Sequence, residues 1–447
     1  MTAPITTAWQ LIRGEILHFL SDPGPGPEPA AGRGAEAIYE HFADGGLLLE
    51  DGIVRECTDW SRAAAAAPKG TPVVDYRGKL VLPGFVDTHI HYPQTDIIAS
   101  PGHGLLDWLE RYAFPAERRF DDEPWALEVA EFFCDELLRN GTTTALVFGT
   151  VHPQSVDALF RVAQRRGMRL IAGKVMMDRN CPEFLRDTAQ SSYDESKRLI
   201  GNWAGVGRLG YAITPRFAIT SSPEQLEAAG ALSREFPGAT VHTHVAENKR
   251  EVEWIRELFP GSRSYLDVYD RFELVKSTSV FAHGIYLDDE DLSLMAQCRA
   301  ALSFCPTSNL FLGSGLFDVR RALDRGVRVA MGTDVGGGTS FSLLRTLAAG
   351  YQVAHLRGEV LSPLRAFYLA TLAGARALGL DAHIGNFRPD READFLVLDP
   401  DATPLLARRM ATAQSLSERL FLWMNLGDDR AVHACHIMGA RQHPKPK

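Results

Sequence analysis

Eight short apolar runs recur between residues 79 and 334, each separated from the next by an amphipathic stretch. They are 79–91, 142–148, 169–177, 209–217, 240–247, 279–285, 300–306 and 328–334. The segments between them have helical periodicity. In "EVEWIRELF", for example, Val252, Ile255 and Phe259 fall on one face. Gly141, Gly167 and Gly326 each follow a helix-like stretch and precede a strand, the place of left-handed helix terminators. Eight strands alternating with helices over roughly 250 residues is the arithmetic of an α/β chain closed into a (β/α)8 TIM barrel. An open doubly wound sheet is the rival. Its dinucleotide-binding form needs G-x-G-x-x-G after the first strand, and "FVDTHIHYP" offers none.

The flanks read differently. "RGEILHFL" and "GGLLLEDGIV" have strand character on either side of a Pro/Gly-rich loop at 22–35. "RAAAAAPKG" reads as a low-complexity connector. Beyond Leu380 the chain returns to strands and turns, and "AVHACHIMGARQHPKPK" suggests a last hairpin and a frayed basic tail. The net charge of −9 disfavours nucleic acid as a partner, because phosphate binding needs a basic face. The six cysteines include no C-x-x-C pair, so neither a thiolate zinc site nor a disulfide framework is expected. No apolar run approaches the ~20 residues of a membrane span. The N-terminus has no signal-peptide pattern, and a cytoplasmic location is expected.

The chemistry-bearing residues sit at strand ends. Residues i and i+2 of a strand share a face, so His89 and His91 of "THIH" point the same way. Two imidazoles so placed can share an ion, though H-x-H alone is a weak signal. "HTHVAE", "FAHG" and "MGTD" add His244, His283 and Asp334 at the ends of the fifth, sixth and eighth runs. That is the end of a barrel where active sites assemble. Periodicity does not choose between His242 and His244, but His244 lies nearer the mouth. Glu247 then falls beside the ion. A bound ion draws the pKa of water towards ~7. Asp334 can ligate and accept the water's proton, Glu247 can shuttle protons, and His283 can orient or stabilise developing charge. The chemistry implied is metal-assisted hydrolysis at an unsaturated carbon.

At this point the chain resembles the amidohydrolase superfamily, through "PGFVDTHIH", "HTHVAE", "FAHG", "CPTSN" and "MGTD" in that order. Within it, the chain is most similar to the branch that deaminates guanine. That likeness rests on "THIHYPQTD", "LLDWLERYAFPAERRF", "NGTTTALVFGTVHPQSVDALF", "AGKVMMDRNCP", "YAITPRFA", "HTHVAENK" and "FCPTSNLFLGSGLF". The resemblance implies a small β-sandwich built from both chain ends. Its N-terminal part would span 1–78, the barrel 79–388 and its C-terminal part 389–447. It implies one divalent ion per chain, Zn2+ with Fe2+ as the alternative, held by His89, His91, His244 and Asp334. His283 would be a weaker ligand or stand behind the ligands, and Glu247 would be the proton shuttle. Gln94, Arg216 and Phe217 would contact the substrate, together with His244 and Glu247. The implied reaction is hydrolysis of guanine at C2 to xanthine and ammonia, in a homodimer.

These pocket residues make physical sense for a flat, neutral ring. Glutamine carries an acceptor and two donors, arginine a fork of donors for the O6/N7 edge, and Phe217 a stacking face. Trp108 and Phe114 could add stacking surface and His103 and His152 could line the mouth, although loop packing and solvated loop positions are the preferred readings. "TPRF" ends the fourth run without the lysine that bridges two ions in relatives, so one ion is expected. The other zinc-deaminase design needs P-C-x-x-C, which is lacking. The alternatives are a related barrel hydrolase acting on another purine, a pterin or a triazine, and a non-catalytic barrel that serves as a scaffold.

Overall fold

A computed structural model of the chain describes residues 8–24 and 38–444. Most of the Pro/Gly-rich loop at 22–35 and the last three residues of the basic tail lie outside the described residues. The chain divides into two compact units. One comprises 1–86, 137–143 and 362–447; the other comprises 87–136 and 144–361.

The first unit joins the chain ends through a seven-stranded mixed sheet. Its strands run in the order Ala440–His443, Val432–Ile437, Phe395–Leu398, Val73–Pro83, Trp9–Phe19, Tyr39–Glu50, Ile53–Asp59. Val73–Pro83 is the hinge of this arrangement. It pairs parallel with Trp9–Phe19 and antiparallel with Phe395–Leu398, setting Phe395 opposite Pro83. Alternating residues Ile12, Leu47, Leu49, Val81, Phe395 and Val397 form its apolar core. The expected last hairpin is present as Val432–Ile437 paired with Ala440–His443.

Two expectations change here. The alanine-rich "connector" is a helix, Trp60–Ala66, because alanine has the highest helix propensity and Ala63 packs against Leu11 and Leu48. The apolar run at 79–91 is two strands, Val73–Pro83 and Phe85–His91, broken at Gly84. A Cβ at Gly84 would come within 2.0 Å of the Thr143 hydroxyl, so only glycine fits the break.

The barrel strands, labelled β1 to β8, follow the predicted runs. They are β1 Phe85–His91, β2 Thr142–Phe148, β3 Arg169–Gly173, β4 Gly210–Pro215, β5 Thr240–Val245, β6 Ser279–His283, β7 Ala301–Phe304 and β8 Arg328–Met331. A two-residue strand, Val175–Met176, continues β3 beside β4. From β2 through β8, each strand pairs parallel with the next. Just past β8, the ring is drawn together by Asp334 N–H to His89 O at 2.9 Å and His91 N–H to Val335 O at 2.8 Å. Strands β1, β2, β6 and β7 are buried along their whole length, as strands covered on both faces must be. Gly141, Gly167 and Gly326 have φ of 77°, 65° and 80°, the left-handed terminators expected. No described helix is long and apolar enough to cross a membrane.

Candidate active site

The C-terminal ends of β1, β5, β6 and β8 converge. Strand pleating turns Asp87, His89 and His91 to one side. Asp87 lies deepest, and its carboxylate accepts the His89 N–H at 3.1 Å and the Thr333 N–H at 3.1 Å, with the Thr333 hydroxyl as a third donor. It therefore ties β1 to the end of β8 beneath the histidines. Burial pushes its carboxyl up to about 7.

Above it, His91 Nε2 lies 3.3 Å from both His89 Nε2 and His244 Nε2. Asp334 Oδ1 is 3.2 Å from His89 Nε2 and 3.4 Å from His91 Nε2. Ligand atoms of these four residues all fall within 4.8 Å of one another. Burial, ahead of every other cause, depresses the imidazole pKa values, His91 to about 4 and His244 well below normal. Burial opposes ionisation of Asp334 too, but the facing His89 and His91 outweigh it and hold the carboxyl well below its usual range. Burial thus favours neutral imidazoles, while the imidazole partners favour the ionised form of the carboxylate.

The outer nitrogens explain which way the lone pairs point. His244 Nδ1 lies 2.7 Å from the Arg216 carbonyl oxygen, which can only accept. Nδ1 therefore carries the proton, and Nε2 turns a lone pair inward. His89 Nδ1 meets His242 Nε2 at 2.8 Å. His242 thus stands behind the cluster and His244 within it. Three imidazole nitrogens and a carboxylate gathered so closely, with the His244 lone pair turned inward, match the donor set of a borderline divalent cation. A second group, His283, Cys305 and Asp334, fits less well. Burial raises the Cys305 thiol well above its normal pKa and keeps it protonated.

His283 and Asp334 hold φ of 72° and 52°, left-handed backbone at two strand ends. Such conformations are uncommon for residues other than glycine and cluster at functional sites. His283 Nδ1 is 2.8 Å from Asn309 Oδ1 of "CPTSN", while its buried Nε2 has no hydrogen-bond partner. That nitrogen lies 3.4 Å from Glu247 Oε2 and 3.7 Å from Asp334 Oδ2.

Glu247 follows β5 on a rigid turn. Its N–H and that of Asn248 donate to Glu251 Oε2 at 2.9 and 3.0 Å. Asn248 caps the helix Lys249–Leu258 in a capping box. The Ser314 hydroxyl donates to Glu247 Oε1 at 2.7 Å. Burial, then Asp334, push the Glu247 carboxyl up to about 8, against the Ser314 bond.

Gln94, Arg216 and Phe217 line the same pocket, with Trp108, Leu105 and Leu312. The Trp108 indole is buried, its N–H donating to Ser100 O at 3.0 Å. Phe114 lies under the Arg216 guanidinium, 5.3 Å from ring centroid to Cζ. His103 is exposed, His152 is half-buried, and neither lines the pocket. Four supporting residues had no sequence reading of their own: Glu117, Asn309, Ser314 and Glu251. Each acts on a predicted site residue through a hydrogen bond.

Residues 80–440 match the amidohydrolase family model, and the chain belongs to that family, whose members are metal-dependent hydrolases. Among similar proteins, the guanine deaminase of Escherichia coli (strain K12) is 52% identical over 396 residues, 89% of this chain and 90% of the relative. A solved E. coli guanine deaminase superposes with a TM-score of 0.93 at 49% identity, covering 97% of this chain and 99% of that one. A guanine deaminase from C. acetobutylicum, solved with guanine bound in its active site, superposes with a TM-score of 0.84 at 27% identity. It covers 97% of this chain and 99% of its own.

Proposed function

We propose that this chain hydrolyses guanine to xanthine and ammonia. The observation that carries the proposal is a single buried pocket. It joins His91, His244 and Asp334 of the cluster, Glu247 with its raised pKa, and the Gln94–Arg216 wall. Supporting it is 52% identity to a guanine deaminase over most of both chains. His89, His91, His244 and Asp334 would hold one divalent ion per chain, zinc with ferrous iron as the alternative. When bound, the ion supplies Lewis acidity and eases deprotonation of water near neutral pH.

The chain's own groups do the rest. Asp334, held ionised, takes a proton from the attacking water. Glu247, whose proton is favoured by burial, delivers it to the ring nitrogen N3 beside C2. It then takes up the remaining water proton and passes it to the leaving amine. Asp334 then returns its proton to Glu247, which restores both groups. In net terms water supplies both protons, one replacing that given to N3 and one ending on ammonia, as its oxygen becomes the C2 carbonyl. Ser314 fixes one oxygen of Glu247, and His283 faces the other. Arg216 and Gln94 bind the carbonyl edge of the ring, and Phe217 lies against it. The proposed assembly is a homodimer in the cytoplasm.

The test is ammonia release by metal-loaded protein from guanine, adenine, cytosine, 8-oxoguanine and pterins, with metal counted per chain. Guanine is expected to exceed every other ring by about 100-fold or more in kcat/KM. Faster turnover of another ring would overturn the assignment.

A further inference from the structure

We infer that Glu117, a buried carboxylate outside the pocket lining, is the positioning residue that makes the wall read a carbonyl rather than an amine. The inference rests on the proposed reaction and names how its substrate is chosen.

Glu117 lies on the helix Phe114–Arg118 and is wholly buried. Its two oxygens are divided between the two wall residues. Oε2 accepts from Arg216 Nη1 at 2.6 Å, and Oε1 accepts from Gln94 Nε2 at 3.0 Å. The Gln94 carbonyl end is fixed separately, since Oε1 accepts the Gly336 N–H at 3.1 Å. Gln94 and Arg216 are themselves buried, each 2% exposed.

The consequence follows from counting donors and acceptors. A glutamine amide is nearly symmetrical in shape, and by rotation it can offer either oxygen or nitrogen. Here rotation is blocked at both ends. An ionised carboxylate only accepts, so it requires the NH2 end; a backbone N–H only donates, so it requires the oxygen. One amide N–H of Gln94 is consumed by Glu117, and the other is left over. Arg216 has donors only, and one of its five N–H groups is consumed. The wall therefore keeps N–H donors in excess, while the ion pair cancels the arginine's charge. A neutral ring carrying a carbonyl oxygen and a ring nitrogen on one edge satisfies it. A ring carrying an amine there sets N–H against N–H. A site built around such pairing rejects the wrong partner strongly, because its buried polar groups are left unpaired.

Glu117→Gln removes the asymmetry. Its amide oxygen can accept from Arg216, and its NH2 then faces Gln94, which must turn its oxygen round to meet it. The wall would show an acceptor beside an uncompensated guanidinium.

The experiment compares guanine with 2,6-diaminopurine, which has the same C2 amine but an amine in place of the O6 carbonyl. Both are assayed with metal-loaded wild type, Glu117→Gln and Glu117→Asp, with metal and melting temperature measured for each. The wild type is expected to favour guanine. In Glu117→Gln, kcat/KM for guanine should fall about 100-fold, mainly through KM, and the guanine preference should shrink at least about 10-fold. Metal should stay at one ion per chain. Glu117→Asp, which keeps the acceptor-only charge, should restore most of the preference even if Glu117→Gln is poorly folded. A preference unchanged in both variants would overturn the inference and leave the proposed reaction standing. A wild type that does not release ammonia from guanine would overturn the proposed reaction itself.

Discussion

The floor and the wall of the pocket are built on opposite electrostatic terms. On the floor, the inward nitrogens of His89, His91 and His244 crowd around the Asp334 carboxylate, and His244 turns a bare lone pair into the cluster. On the wall, Gln94, Arg216 and Glu117 satisfy one another and Gly336. A floor of that kind is incomplete without a cation. A wall of that kind is fixed in orientation before a ligand arrives, with its spare N–H groups already aimed, so little ordering cost remains when one binds. The floor supplies the means of hydrolysis shared across a family, and the wall decides which ring is hydrolysed.

The sharpest way to break this division is His91→Ala. It should lose both metal and measurable turnover, a fall of about 10⁴-fold or more; full metal occupancy in that variant would remove His91 from the ligand set. Glu247→Gln should keep one ion per chain and lose about 10³-fold in kcat. Undiminished turnover would refute its role as proton carrier. His242→Ala sharpens the picture from behind. It removes the partner of His89 Nδ1 without touching a ligand, so metal affinity should fall about 10- to 100-fold, read by competition with a chelator.

Ser314→Ala should have the smallest effect, a shift in pH. The Ser314 hydroxyl stabilises the charged carboxylate of Glu247 and so lowers its pKa. Its loss raises that pKa further. Activity needs the protonated form and falls as pH rises through that value, so the alkaline limb of the kcat profile should move up, by about half a pH unit. A bound cation lowers the Glu247 pKa in both proteins, which leaves the sign of the difference intact. A limb that moves down would contradict the arrangement.

Much of the floor was legible before the structure, because its signal is local. His89 and His91 share a strand face by pleating alone, and His244, His283 and Asp334 each end an apolar run. The choice of His244 over His242 needed only the direction of the mouth. The wall was half legible. Gln94 and Arg216 were expected to touch substrate, but Glu117 was not singled out. Its partners lie 23 and 99 residues away in sequence, beyond any periodicity. Within "PAERRF" a lone glutamate beside two arginines reads as a solvated surface charge. Ser314 and Asn309 were hidden for the same reason: each reaches its partner, Glu247 or His283, across the barrel mouth. In the fold, the break at Gly84 went unread because the apolar pattern runs straight through it. Only the approach of Thr143 shows why the strand must end there.

The most direct test is equilibrium binding of guanine to metal-loaded Glu247→Gln, in which turnover is stopped but floor and wall are intact. The account predicts one guanine bound per metal-loaded chain. Adding Arg216→Ala should weaken that binding about 100-fold while the metal count stays at one. Guanine binding that survives Arg216→Ala unchanged, or metal lost along with it, would contradict the division of floor from wall.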